Sequence, residues 1–574
     1  MNRFRTIRGR RLPRPGATHQ GFSGKGQRLA LLLAAFTVAP WGLAGCDMAP
    51  DYKRPAPAVP MVWPEDSGVK GDAKTAAQQA AHPHPIAANL GWEDFFKDPR
   101  LQKLIELTLH NNRSLAAQMQ AVTSARGQYR VQNAALLPLI SVGANAEYMD
   151  PSNTAGFSFA PGSDKAQNGR QAIPLLHYYQ ESIGFSSYEV DVWGRIRNLS
   201  AYQREQALSQ LENLRTLWLT TVSELASDYI RWLMDREQLK LSRATAASTL
   251  ETLKLTKARF DQGQENNLAL SEAASSYEEA AASVPSLESA VAQDEHAIQL
   301  IVGMPLPKDL PPPLPYGQQI TDSDLPAGFP SDLLVQRPDI RAAEHTLMGA
   351  NAMVGAARAA FFPKFTLTAN EGTSSLKFHQ LFTNMAETWG ISPGVNIPLL
   401  TWGVNEGNLE SAKAEKRQAI ANYQKAVQTA FREVSDSLTS RGAYKREEAR
   451  VEAMAGHTDD AYKLSVMRYK AGIDSFLPTL VNQRSAFQSR EYVIYIKGAR
   501  LQNSITLYRA LGGGWTKKSL PWEPQPPADS APKQSRVEQN QPSAALPDKV
   551  SGSEMPGSLH QAARQSRHLP SPTP

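Results

Sequence analysis

Cysteine is almost absent. Cys46 is the only one, which excludes an intrachain disulfide and a cysteine metal cluster. A strong charge of one sign is also missing. Lys and Arg number 61 against 55 Asp and Glu, a net charge of +6. No basic stretch is interleaved with stacking aromatics, so no nucleic-acid partner is expected. Catalytic signatures are lacking too: there is no HExxH, CxxC, GxSxG elbow, Walker loop or Rossmann fingerprint. His296, His345 and His457 are scattered, and Gly512-Gly513-Gly514 is too compact for a phosphate loop and reads as a helix end. With no nucleophile and base to nominate, the chain reads as a non-enzyme that needs no metal. Beyond the N-terminal region no segment offers ~18 uninterrupted apolar residues, so any membrane span must be β.

What is present begins with an address. Arg3, Arg5, Arg8, Arg10, Arg11, Lys25 and Arg28 precede an apolar run from Leu29 to Val38, too short to span a bilayer. The run leads to Leu43-Ala44-Gly45-Cys46, which resembles the bacterial lipoprotein box. That resemblance implies cleavage after residue 45 and lipidation of Cys46, with diacylglycerol on the thiol and an N-acyl chain. Asp47 follows, and resembles an inner-membrane retention signal of some bacteria, so the anchoring membrane has to be argued from the rest of the chain. Residues 46–90, rich in Pro, Ala and Gln, read as an extended linker. Residues 515–574, rich in Pro, Ser and Gln, read as a disordered tail.

The body between them is written twice. Asn112-Arg113-Ser114-Leu115 answers Arg337-Pro338-Asp339-Ile340, and Ala135-Leu136-Leu137-Pro138 answers Ala360-Phe361-Phe362-Pro363 at the same offset. Trp193-Gly194 answers Trp402-Gly403, Arg259 to Gly263 answers Arg468 to Gly472, and Gly303 answers Gly512, all at a second constant offset. The offset changes once, which assigns an extra loop to the first copy, around 150–169. The expected units are 91–302 and 333–514, joined by a linker over 303–332.

Each copy changes period in the same order. Ile140, Val142, Ala144, Ala146 and Tyr148 alternate with polar residues, and so do Phe365, Leu367 and Ala369. Period two predicts strands with one apolar face. Their partners are expected over 182–192, with a change of phase near Ser187, and over 389–399, giving hairpins at 138–192 and 363–400. Helices follow over 194–302 and 403–511. Leu208, Leu211, Arg215, Trp218, Val222, Leu225, Tyr229 and Trp232 keep a coiled-coil spacing, repeated by Ile420, Tyr423, Val427, Ala430, Val434 and Leu438. From Gly194 to Phe260 there is no proline. Wholly helical, that span would be ~100 Å long.

Four strands with one apolar face match a membrane-barrel signal, yet four cannot close a barrel. An open edge in lipid leaves backbone groups unpaired, so closure requires other chains. The soluble alternative is that each hairpin packs its apolar face on its own helices.

The order of hairpin, long helix, glycine break and shorter helix, twice over, resembles the TolC/OprM-like outer-membrane factors. Trp92 to Leu115 (WEDFFKDPRLQKLIELTLHNNRSL), Tyr188 to Arg197 (YEVDVWGRIR), Gln336 to Glu344 (QRPDIRAAE) and Arg468 to Leu477 (RYKAGIDSFL) carry the resemblance. The lipoprotein box is similar to that of the NodT-like lipoprotein branch. The resemblance implies a mixed α/β membrane protein: a homotrimer whose twelve-stranded outer-membrane β-barrel, four strands per chain, continues as a long periplasmic α-helical barrel. It implies a lipid-anchored outer-membrane channel that passively conducts small molecules for a tripartite efflux pump. A periplasmic adaptor and an inner-membrane transporter of the resistance-nodulation-division type would be its partners. The alternatives are an exit duct for type I protein secretion and a non-conducting structural lipoprotein.

Gly263 and Gly472 break the long helices at their far ends, the expected periplasmic tip. With Tyr469 they are the expected adaptor-docking site. The gate is expected at Glu272, Asp474 and Leu477; positions where the family carries carboxylates hold Pro478 and Val481 instead. Arg337-Pro338-Asp339 is expected to start a helix, with Arg341 and Glu344 forming a pair on its surface.

Overall fold

Asp98 and Pro99 open the folded body as a helix start should. Pro99 occupies the first turn of α2 (Pro99–Asn111), and the Asp98 carboxylate accepts from Arg100 N at 2.9 Å and Leu101 N at 3.4 Å. The computed structural model describes residues 46–56, 59–60, 90–149, 176–321 and 337–513. The expected signal peptide, most of the linker, the loop around 150–169, part of the inter-repeat linker and the tail lie outside the described residues.

In the first copy a short α1 (Trp92–Phe95) and α2 lead to α3 (Arg113–Ala134), strands β1 (Ser141–Met149) and β2 (Leu176–Val190), and helices α4 (Arg195–Asp261) and α5 (Asn267–Val302). The second copy consists of α6 (Pro338–Ala359), β3 (Lys364–Ser375), β4 (Glu387–Asn396), α7 (Val404–Lys470) and α8 (Phe476–Ala510). The helices α4 and α7 have the same length, 67 residues, ~100 Å each. Three pairs of glycines mark equivalent points at nearly the same positive φ: Gly194 and Gly403 at 76° and 86°, Gly263 and Gly472 at 72°, Gly303 and Gly512 at 79° and 74°. A side chain would be strained there. At Gly303 it would also collide, since a Cβ would stand 2.6 Å from Asn111 O.

The coiled-coil seam is buried over most of its expected course, but Leu208, Leu211 and Ile420 are only half-buried, and Ala207, Leu214 and Ala419 are buried beside them. Trp218, Val222, Leu225, Tyr229 and Trp232 are buried on α4, and Tyr423, Val427, Ala430, Val434 and Leu438 on α7. Arg215, the charged member of the first seam, is neutralised by Glu212 at 2.7 Å. Asp98 does more than cap α2: its Oδ2 accepts from Tyr229 Oη on α4 and from Leu314 N in the inter-repeat segment, both at 3.0 Å.

The four strands form one antiparallel sheet in the order β1-β2-β3-β4. Residues paired across strands share a face. Val142 pairs with Ile183, Phe185 with Ala369, Leu367 with Pro393, and Ala369 with Ile391. One face is therefore mostly apolar across all four strands, with Glu181, Glu371, Thr373 and Glu387 joining it toward the far end, whereas the other carries chiefly Ser, Gly, Thr and Asn together with Glu147, Glu189 and Lys364. The pairing slips between Phe185 and Tyr188, where Ser187 has φ 53° and donates its N–H to Thr368 Oγ1 at 3.0 Å. This bulge is the change of phase expected near Ser187, and it keeps Tyr188 and Val190 on the apolar face. β2 starts earlier than expected, at Leu176, and β4 ends sooner, at Asn396.

The apolar face is not packed on the chain's own helices. Val142 is 70% exposed, Trp389 69% and Val395 58%, which rejects the soluble alternative. No described helix is long and apolar enough to cross a membrane.

One expectation is corrected. Arg341 and Glu344 do not pair with each other. Arg341 reaches Glu212 on α4 at 2.7 Å, and the buried Glu344 accepts two bonds from Arg54, at 2.7 and 2.8 Å, and one from Tyr52 Oη at 3.0 Å. The physical reason is burial: α6 is covered by α4 on one side and by the 46–56 segment on another, so neither residue faces open solvent. That segment is extended but docked. Asn351 Nδ2 donates to Pro50 O at 2.7 Å, and a Cβ on Gly355 would meet Ala49 at 2.8 Å.

Candidate channel wall and tip

Three regions of the protomer carry the functional geometry. The first is the sheet. Its polar face is built from small residues: Gly143, Gly184, Gly372, Gly390 and Gly394 share it with Thr366, Thr368 and Ser392. Two of these glycines are obligatory, because a Cβ on Gly184 would lie 2.1 Å from Ala369 O and one on Gly372 only 1.9 Å from Glu181 O. With Glu147, Glu189 and Lys364 among the small and hydroxyl residues, this face is wettable, and its mostly apolar opposite suits lipid.

The second region is the joint where strands become helices. Asp191 caps α4, accepting from Ile196 N at 3.1 Å and Arg197 N at 2.8 Å. Glu189 holds Arg195 through two bonds of 2.7 and 2.6 Å. Trp193 donates Nε1 to Pro363 O at 2.9 Å and stacks on Phe362 at 4.7 Å, tying the two copies together. The YEVDVWGRIR stretch is thus the joint itself. Cys46 is exposed and lies against it: Arg197 Nη2 donates to Cys46 O at 3.4 Å, and Asn198 Nδ2 donates to Asp47 Oδ1 at 2.7 Å.

The third is the tip. Both long helices end in the same way: Gly263 N and Gln264 N bond back to Phe260 O and Arg259 O, and Gly472 N and Ile473 N to Tyr469 O and Arg468 O. Tyr469 is buried, 1% exposed, in a cluster with Ala269, Ala273, Phe476 and Leu480. Its hydroxyl meets Thr256 Oγ1 at 3.0 Å, and burial pushes its pKa up. Arg259 spans from α4 to α7, donating to Tyr469 O at 3.0 Å and Lys470 O at 2.9 Å, with its guanidinium 4.7 Å from the Tyr469 ring centre. The equivalent Arg468 does something else. It makes a two-pronged pair with Asp474 at 2.6 and 2.9 Å, a hydrogen-bonded contact that holds the Asp474 carboxyl below its ordinary range.

Of the residues expected at the gate, Leu477 is 53% exposed, Glu272 is half-buried, and Asp474 is occupied by Arg468. Of those expected to dock a partner, Gly263 and Gly472 are exposed at the two turns, whereas the Tyr469 ring is enclosed within its own protomer. Sequence reasoning missed Arg259 and Thr256. The repeat carried little signal, since Arg259 and Arg468 are equivalent and each has a carboxylate six residues on, Glu265 and Asp474. No group of His, Cys, Asp and Glu suited to hold a metal occurs among the described residues.

A half-lipophilic sheet with two open edges, continued by paired 67-residue helices, defines a class: one protomer of a trimeric outer-membrane channel. Comparison identifies the family. Residues 104–304 and 329–513 match the family model for "Outer membrane efflux protein", and the chain belongs to that family. The toluene efflux pump outer membrane protein TtgC of Pseudomonas putida is 35% identical over 488 residues, 85% of this chain and 96% of that protein. The outer membrane protein OprJ of Pseudomonas aeruginosa is 33% identical over 489 residues, with the same coverage of 85% and 96%. The crystal structure of the open state of the Neisseria gonorrhoeae MtrE outer membrane channel superposes with a TM-score of 0.72 at 30% identity, covering 83% of this chain and all of that one. The protein is an outer-membrane channel of an efflux system.

Proposed function

We infer that this trimer is the exit duct of a tripartite pump, fed by an inner-membrane transporter of the resistance-nodulation-division type through a periplasmic adaptor. The channel does no chemistry and passes small, partly lipophilic molecules. A relative named for toluene efflux supports that substrate class. The observation that carries the reading is the sheet with one lipid-suited face and one face of glycine and hydroxyl groups, both uncovered in the protomer.

The adaptor docks at the two exposed turns around Gly263 and Gly472. The resting tip is closed by the Arg259–Tyr469 tie within each protomer, and Leu477, Glu272 and Asp474 narrow the passage beside it. Anchoring is by lipid on Cys46 as well as by the barrel. Its support is the docked 46–56 segment, which brings Cys46 to the strand–helix joint at the base of the apolar face. Asp47 then has a structural task in holding that segment.

The test is complementation. In cells lacking their own outer-membrane efflux channel, co-expression with the cognate adaptor and transporter should restore resistance to small toxic compounds. Restored polypeptide secretion without any gain in resistance would contradict the reading.

A further inference from the structure

At the end of the sheet farthest from the helices, β3 and β4 are joined by residues 376–386, which contain two short 3-10 segments, Phe378–Gln380 and Asn384–Ala386. A turn standing in water at a channel mouth needs no apolar surface. This turn has a good deal: Leu376, Phe378, Phe382 and Met385 are all exposed, Met385 at 96%. Nor is the turn loosely held. Leu381 and Ala386 are buried, and backbone bonds of 3.1 Å from Leu381 N to Phe378 O and 3.0 Å from Ala386 N to Thr383 O fix its shape.

Ring contacts give its direction. Phe378 meets Tyr179 of β2 edge-on at 5.5 Å, and Phe382 meets Phe378 at 6.3 Å. Tyr179 pairs with Ala146 and shares its face with Ile183 and Val142, with Glu181 and Glu371 also on that face, so the turn is folded onto the mostly apolar side of the sheet, beyond the level of those two carboxylates. Tyr148 and His177 continue the same aromatic patch. The turn also leans toward β2, an inner strand, and away from the free edge of β4 where the next protomer must attach. A second copy of the chain is therefore not its natural cover, and lipid is what borders that face.

We propose that the turn 376–386 is a membrane anchor that lies against the outer leaflet rather than a lid over the channel mouth. Phe378, Phe382 and Met385 enter the acyl region, and the exposed Lys377 and His379 beside them stand at the level of anionic headgroups. Amphipathic side chains divide in this way at a lipid–water boundary. The proposal rests on the apolar face being the lipid-facing one.

The test is the collision accessibility of nitroxide labels on the full-length trimer in liposomes containing anionic lipid. Met385→Cys and Phe382→Cys carry the question, two positions guarding against one variant failing to form a heat-stable trimer. Val395→Cys, on the apolar face, is the lipid reference, and Gln264→Cys, in the tip turn, is the water reference. Protein without an added cysteine gives the background from Cys46. The expected result is oxygen collisions several-fold above those of a water-soluble nickel chelate at 382 and 385, as at 395. Dominant chelate collisions at 382 and 385 would show a turn in water and overturn the proposal. Suppression of both would show three turns packed over the mouth and overturn it equally. A chelate-accessible label at 395 would instead overturn the barrel reading, and the anchor with it.

Discussion

Removing the Arg259 side chain should loosen the resting tip. Its guanidinium joins the ends of α4 and α7 through two backbone carbonyls and lies over the Tyr469 ring. A charged donor contributes about 1.5–3 kcal/mol in a buried hydrogen bond, but this site is only partly buried, so the two bonds together are taken as about 1–2 kcal/mol. The ring contact adds about 0.5–1 kcal/mol. Arg259→Ala therefore shifts the balance between tied and released helices by about 2 kcal/mol per protomer, roughly 30-fold, at three places around one tip. Single-channel recording in planar bilayers should show a higher open probability and longer open dwells. Arg259→Lys should fall between, because an ammonium cannot bridge two carbonyls in a fixed fork. Arg259→Ala trimers that form normally, yet match the parent in conductance and dwell time, would refute the idea that this tie holds the tip shut.

Asp294, buried on α5, is pushed up to about 6, first by burial and then by the neighbouring Asp235 of α4. Its proton is retained on folding, so its contribution to stability is full below about pH 4 and is lost as the pH rises to about 6. The melting temperature of the solubilised trimer should fall across that window, and Asp294→Asn should flatten the fall. In the sheet, Gly372→Ala should abolish the heat-stable trimer on a denaturing gel, because its Cβ would be driven to 1.9 Å from Glu181 O. Gly143→Ala, with nothing within 4 Å, should leave the trimer intact. Asp98→Ala removes a cap and two further buried bonds and should cost about 2–4 kcal/mol, read as a clear drop in melting temperature. If Glu272 and Asp474 line the gate, their double alanine variant should lose cation selectivity in bilayers; unchanged selectivity would show them to be ordinary surface carboxylates.

Local regularities were legible in the sequence because they are set by neighbours along the chain. Alternation of apolar residues marked all four strands, and the lost phase at Ser187 marked a bulge that exists. The seam from Trp218 to Trp232 marked a helix buried along that stripe, and the paired glycines marked its ends. What could not be read depends on partners far apart in the chain. Glu344 looked like the i,i+3 mate of Arg341, but its partner Arg54 lies 290 residues earlier, and nothing in the Pro-rich segment around Arg54 announces that it docks. Asp98 could be read as a cap, not as the meeting point of Tyr229 and Leu314. At the tip, Arg259 and Arg468 occupy matching positions of the repeat. In the fold the two part company: Arg468 pairs with Asp474, whereas Arg259 bridges to the α7 carbonyls although Glu265 stands where Asp474 does in the other copy.

Four strands from each chain close, in a trimer, into a conducting barrel. Protein purified from outer membranes and added to planar bilayers tests it most directly. A heat-stable trimer should insert and give steady ionic conductance, larger when Arg259 is replaced by alanine. A monomeric protein that does not conduct would contradict it.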